Sequence, residues 1–280
     1  MRKGIRVSLW IGGWLFLAGT AAAQSSDSIK VARLLQAAAM LPSDSSRALF
    51  FARQFIGTPY VAGTLDIQNP NENLITDLNR LDCTTFVETV TALVLCYKQH
   101  TSSYDSFKKN LTTVRYRSGH RDGYLSRLHY FSDWIADNER KGIVKEHTHK
   151  ISGYTWPVTL DFMSQHPDAY PALKDNPELI KSIKQMERLW HSYAMPYIPK
   201  DWLNRVSEEL PIQNGNILAL TTTIDGLDVT HVGFAYWLEG KLHLLHASSQ
   251  KGKIILDPLP LYEYQKNKKT HTGVRVIVIL

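Results

Sequence analysis

Cys83, His231 and His246 are the residue types from which a nucleophilic hydrolase is assembled. Cys83 follows Asp82 at the head of the run Leu81-Asp82-Cys83-Thr84-Thr85-Phe86-Val87-Glu88-Thr89-Val90. Phe86, Val87, Val90, Leu93, Val94 and Tyr97 recur at the spacing of an amphipathic helix. Asp82 is a competent N-cap, which predicts Cys83 in the first helical turn. Unpaired backbone N–H groups and the positive end of the helix dipole favour a thiolate over a thiol there. Placement alone leaves a second reading open, because free cysteine is among the most buried residue types. Cys96, well inside the same helix, takes that structural reading. The two sulfurs lie roughly 20 Å apart along the helix at ~1.5 Å rise per residue, out of disulfide range.

The histidines lie in strand-like runs joined by Glu239-Gly240. A two-residue turn there sets Leu238 opposite Lys241, His231 opposite Ser248 and His246 opposite Gly233. Ser248 and His246 share a face, since side chains alternate along a strand. His231 and His246 thus become diagonal neighbours, about 7–8 Å apart at the backbone and within side-chain reach. His243 faces the other way, and a longer loop or a bulge would change this parity. One such histidine reads as a half-buried sheet residue. Two facing together, with a cysteine at a helix tip, suit a base and its orienting partner. His231 would take the thiol proton and later protonate a leaving amine, while His246 holds its ring in the useful tautomer.

The elements that must position these groups follow from the pattern. Arg2, Lys3 and Arg6, the apolar run from Val7 to Leu17 and Ala21-Ala22-Ala23 read as an export signal over residues 1–23. The apolar run is too short for a stable membrane anchor. Its removal leaves about 257 residues, enough for one catalytic domain, 24–280. It also lowers the formal charge from +6 to +3, too mild to argue for nucleic-acid binding. Ser28 to Ile56 is helical with a break at Leu41-Pro42-Ser43-Asp44, and Gly57-Thr58-Pro59-Tyr60 turns out of it. Asp66 to Leu78 reads as a surface loop. Residues 101–211 form a helical and loop insertion, with helices expected over Pro177–Ser192 and Asp201–Leu210. Five short β-rich runs follow: Asn216–Thr222, Thr230–Leu238, Lys241–Ala247, Lys253–Leu256 and Gly273–Leu280. Helices first and an antiparallel sheet last predict an α+β fold.

Gly57-Thr58-Pro59-Tyr60, Asp82-Cys83-Thr84-Thr85-Phe86, Thr230-His231-Val232-Gly233 and His246-Ala247-Ser248 occur in the order found in NlpC-type papain-like cell-wall hydrolases. The chain resembles that family over most of its expected mature length. The resemblance implies a papain-like α+β fold, with the nucleophile at a helix N-terminus packed on the sheet. It casts Cys83 as nucleophile, His231 as base and His246 as the third polar residue. It also sets Tyr60 and Asp82 beside the nucleophile, where they and the Cys83 N–H face substrate or oxyanion. Many relatives that cut γ-D-glutamyl–diamino acid bonds read Asp-Cys-Ser-Gly-Phe, whereas Thr84 and Thr85 stand here. That departure, the large middle region and Ser126-Arg127-Leu128-His129-Tyr130-Phe131-Ser132-Asp133-Trp134 resemble the N-acetylmuramoyl-L-alanine amidase-like branch. Its members split sugar from stem peptide, with anhydro-muropeptides among their substrates.

The expected partner is therefore a peptidoglycan fragment, with no cofactor, no metal and no nucleic acid, acted on by an exported, periplasmic or secreted monomer. Arg127, His129 and Tyr130 are candidates for glycan contact, because aromatic faces stack on sugars and polar heads bond hydroxyls. Trp134 reads as core. Glu146-His147-Thr148-His149 lacks a third ligand at metal spacing and reads as a solvated loop. Lys266-Asn267-Lys268-Lys269 reads likewise as a surface charge run. A γ-D-glutamyl endopeptidase and an inactive wall-binding module are the rival functions.

Overall fold

Capping and apolar periodicity set the helical half of the chain. The fold is seen in a computed structural model that describes residues 15–66 and 72–280. Helix α1 (Leu15–Ala39) and helix α2 (Arg47–Arg53) flank the break at Pro42, and the Ser46 hydroxyl accepts the Leu49 N–H at 3.2 Å to cap α2. Of the expected export signal, residues 1–14 lie outside the described part and Leu15–Ala23 open α1. Among the described residues, no helix is long and apolar enough to cross a membrane.

Helix α3 (Cys83–Lys98) begins at Cys83 as its cap requires. Asp82 Oδ1 accepts the Thr85 N–H at 2.8 Å and the Thr85 hydroxyl accepts the Asp82 N–H at 2.9 Å. This reciprocal box satisfies two backbone donors that the helix itself leaves unpaired. Helices α4 (Tyr104–Arg115) and α5 (Phe131–Arg140) follow. Glu88 of α3 and Arg115 of α4 form an ion pair at 2.7 Å with both side chains buried.

A short strand, β1 (Val144–Glu146), and helix α6 (Thr148–Ile151) come next. They correct the solvated-loop reading of this stretch: Glu146 and Thr148 are buried, and Arg275 forks onto Glu146 with two 2.7 Å contacts. Strand β2 (Thr155–Val158), helices α7 (Phe162–Gln165) and α8 (Pro177–Glu187), and strand β3 (Tyr193–Pro196) form a satellite around Tyr130, Leu160, Met163 and Ile183. Pro177 at the start of α8 and the Asn176 cap fit the expected helix, which passes into a 3-10 turn at Arg188. The helix expected over 201–210 is only a 3-10 turn, Lys200–Asn204. Leu203, Leu210 and Ile212 instead tuck one by one under the sheet, so packing overrides local propensity.

The sheet is completed by β4 (Ile198–Pro199), β5 (Ile217–Thr222), β6 (Val229–Leu238), β7 (Lys241–Ser248), β8 (Lys253–Pro260), helix α9 (Leu261–Lys266) and β9 (His271–Ile279). It is antiparallel in the order β1-β9-β5-β6-β7-β8, with β4 on β9. The fold is α+β, N-terminal helices packed on a C-terminal antiparallel sheet. One sheet face meets α3, where Phe86 lies edge-on to Phe234 at 5.3 Å. The other buries Leu218, Leu220, Ala235 and Leu244 against Leu203, Leu210 and Leu261.

Candidate active site

Cys83 is half-buried at the tip of α3. The Val232 N–H of β6 reaches its sulfur, as do the Thr84 N–H and hydroxyl. These donors favour an anion, but burial outweighs them and the Asp82 carboxylate adds to it, pushing the thiol up to about 11. At rest Cys83 is therefore a thiol, which corrects the expectation of a resting thiolate. The helix tip lowers the cost of ionising the sulfur without overcoming its desolvation.

The Glu239-Gly240 turn is two residues long, and the register with β7 runs from Leu238↔Lys241 to Phe234↔Leu245. His231 Nε2 and His246 Nδ1 stand 2.6 Å apart with the rings perpendicular. Two local devices make this approach. The β5–β6 register slips between Leu220↔His231 and Thr221↔Val229, so Thr230 is an unopposed extra residue beside His231. Such a bulge re-aims the neighbouring side chain. Gly233 is the second device: a Cβ there would lie 2.7 Å from the Leu245 carbonyl oxygen and 2.9 Å from the His246 Cβ. Burial, with His246 beside it, pushes His231 down to about 3, so its imidazole is neutral. His246 is fully buried, 3.2 Å from Asp257 through Nε2, with Tyr264 edge-on at 5.7 Å. His243 turns to the other face and bonds the Asp257 carbonyl at 2.9 Å.

Cys83 and His231 line one cavity of about 240 Å³, whose wall also includes Asp82, Arg127, His129 and Tyr130. The middle-region residues reach the cavity with their polar heads already engaged. Arg127 pairs with Glu72 at 3.1 Å and Asp66 at 3.2 Å. His129 Nε2 bonds the Tyr124 carbonyl, and burial with nearby Arg127 pushes the ring down to about 3. The Tyr130 hydroxyl donates to Glu187 at 2.7 Å and accepts the Met163 N–H at 2.9 Å. Asp82 is likewise engaged as the α3 cap. Tyr60 lies outside that wall, tied by its N–H to the Gly252 carbonyl, with its phenol raised chiefly by burial and further by the Asp82 carboxylate. Asp257 and Tyr264 escaped the sequence reading. The only signal was Asp257-Pro258 directly after the β-rich run Lys253–Leu256, where proline marks a bulge or strand end. Lys268, read as solvated, is half-buried over the Tyr264 ring. Among the described residues, no group of three His, Cys, Asp or Glu is placed to hold a metal.

Comparison with known proteins adds the family. Solved structures of an N-acetylmuramoyl-L-alanine amidase from Bacteroides uniformis ATCC 8492 are similar, one at 38% identity and TM-score 0.79 over 83% of this chain and 97% of that one. A putative xylanase from Bacteroides fragilis is similar at 42% identity and TM-score 0.78, over 82% of this chain and 100% of that one. A Legionella pneumophila protein at 24% identity and TM-score 0.70, over 93% of this chain and 96% of that one, shares the fold. No curated protein matches the chain. Residues 50–274 match the family described as AmiA-like, N-acetylmuramoyl-L-alanine amidase-like, and the chain belongs to that family.

Proposed function

We propose that the protein is an exported, periplasmic cysteine amidase that cleaves the lactyl–L-alanine amide of muropeptides, anhydro forms included. The observation that carries this reading is a cysteine at a helix tip in one cavity with a histidine tied at 2.6 Å to a second. The resting pair is neutral thiol and neutral imidazole. As the lactyl carbonyl seats at the head of α3, His231 takes the thiol proton and the sulfur attacks the carbon. The Cys83 N–H, at the head of α3, meets the oxyanion. The imidazolium then protonates the L-alanine nitrogen, which leaves with the stem peptide. Water, deprotonated by the same ring, hydrolyses the thioester to the lactyl acid and restores the thiol.

A glycan-cleaving reading, suggested by the name of the Bacteroides fragilis relative, needs two unencumbered carboxyl groups flanking the bond. The cavity's carboxylates are engaged: Asp66 pairs with Arg127, Asp82 caps α3, Glu88 pairs with Arg115, and Asp228 accepts the Ser132 N–H. This supports the reading of the thiol as the cavity's nucleophile.

Mass spectrometry of defined muropeptides treated with wild type and Cys83→Ala tests the proposal. Release of an intact stem peptide with a free L-alanine amine, by wild type alone, is the expected result. Fragments ending at D-glutamate make the enzyme an endopeptidase, and no cleavage makes it a binding module. Fractionation of producing cells, with the mature chain expected to begin near Gln24, tests export.

A further inference from the structure

We infer that Asp257 is a positioning residue that sets the tautomers of both histidines, so that His231 presents a lone pair, not a proton, to Cys83. The inference rests on the reading of Cys83 as nucleophile and His231 as its base. It starts from an irregularity in the sheet. Register between β7 and β8 shifts from Leu245↔Leu256 to His243↔Pro260, so Asp257, Pro258 and Leu259 bulge opposite Leu244. The bulge is tied down: His243 bonds the Asp257 carbonyl at 2.9 Å, and the Leu259 N–H donates to Asp257 Oδ1 at 2.9 Å. Oδ1 is thereby fixed as an acceptor in a local turn. Oδ2 is the oxygen left facing His246 Nε2, at 3.2 Å.

Burial opposes ionisation of Asp257, but the bonds from His246 and Leu259, with Lys268 nearby, hold its carboxyl below the ordinary range. A carboxylate only accepts, so the ring proton facing it sits on His246 Nε2, and a ring holding that one proton keeps a lone pair on Nδ1. Only 2.6 Å separates that Nδ1 from His231 Nε2, which must then be the donor. A neutral imidazole has one N–H, so His231 Nδ1 is left as the base. The order Asp257–His246–His231–Cys83 is thus forced by one fixed acceptor at its far end. When His231 takes the thiol proton, the Asp257 carboxylate also offsets the new charge through His246, and no proton need leave that ring.

Asp257→Asn makes the test sharp. Its carbonyl oxygen stays on the Leu259 N–H and its amide N–H₂ turns to His246 Nε2. That reverses both tautomers and points a proton at the sulfur. Asp257→Ala leaves His246 free to keep either tautomer. The full-length protein and both variants are compared by ¹⁵N-histidine NMR at neutral pH and by the rate of Cys83 alkylation with iodoacetamide. Muropeptide turnover is measured alongside. Expected are exchanged Nδ1 and Nε2 shifts at both histidines in the Asn variant, and alkylation slower in Asn than in Ala. Turnover in the Asn variant should fall by up to about 10⁴-fold, the scale of a wrong tautomer in a Ser-His-Asp triad. A purely structural Asp257 predicts the opposite ranking, since Asn keeps the shape that Ala loses. Unchanged histidine shifts in Asn, or alkylation of Asn no slower than of Ala, overturns the inference. The NMR and alkylation readouts hold even if wild type cleaves no muropeptide, so failure of the functional reading is seen separately.

Discussion

The two sides of the cavity are built on different principles. On one side, α3 and the β6–β7 hairpin deliver Cys83, His231 and His246 from the tip of one helix and one two-stranded ribbon; the two histidines are 15 residues apart. On the other, Arg127, His129 and Tyr130 come from a segment held by distant partners, Arg127 by Asp66 and Tyr130 by Glu187, 61 and 57 residues away. The first side aims reactive atoms inward. The second spends its polar atoms on its own scaffold and offers a shaped wall. Changes to the reactive side chains of the first side should therefore strike the chemical step with little loss of stability, and changes on the second should loosen the wall and weaken substrate binding.

Cys83→Ala is the largest expected effect. Amide hydrolysis should fall by on the order of 10³-fold or more, because members of a nucleophile–base set fail together. The thermal midpoint should stay within a few degrees of wild type, since only a half-buried sulfur is removed. A large drop in midpoint would erase the contrast between the two sides. Gly233→Ala probes the same side through its backbone. The added methyl meets the Leu245 carbonyl and the His246 Cβ, so overpacking of about 1–3 kcal/mol is expected in urea titration. Turnover should fall as well, because the imidazoles are pushed apart.

Tyr130→Phe tests the wall. It keeps the ring but leaves the Met163 N–H without its acceptor and Glu187 with the Ser164 N–H but not the phenol as donor, at a cost of about 1–3 kcal/mol. KM should rise while kcat changes little. A fall in kcat at unchanged KM would place the Tyr130 hydroxyl in the reaction itself.

The contrast also explains what could be read from the sequence. A helix cap, an apolar stripe and a two-residue turn are local signals, and they sufficed to place Cys83 and bring His231 to His246. The resting charge of Cys83 was misjudged because desolvation depends on what packs over the helix tip, which no local pattern encodes. Asp257 was invisible for a related reason: its aim comes from a bulge in the β7–β8 register, and only Pro258 hinted at it. Strand β1 escaped notice because three residues carry no periodicity; it joins the sheet through Val144↔Ile279 and the buried Glu146–Arg275 pair. The 201–210 stretch has helical spacing, yet Leu203, Leu210 and Ile212 are claimed by the sheet. Tertiary demand decided each of these.

The smallest expected effect uses protons to compare the sides. His129 on the wall and His231 on the hairpin are both pushed down to about 3, chiefly by burial, and His271 to about 4. An unfolded histidine takes its proton near ~6.5. Between that value and the folded pKa the unfolded chain binds protons that the folded chain refuses, so stability falls as pH drops. The contribution is whole above about pH 6.5 and erodes steadily below it. Urea midpoints of wild type should therefore decline from pH 7.5 to pH 5. His129→Gln removes one of these groups, and its curve should decline less steeply. Carboxylates titrate alike in both proteins, so the difference between the two slopes isolates the wall histidine. Parallel slopes would mean that the His129 ring is protonated in the folded state, and hence that the wall beside Arg127 admits water as the hairpin side does not.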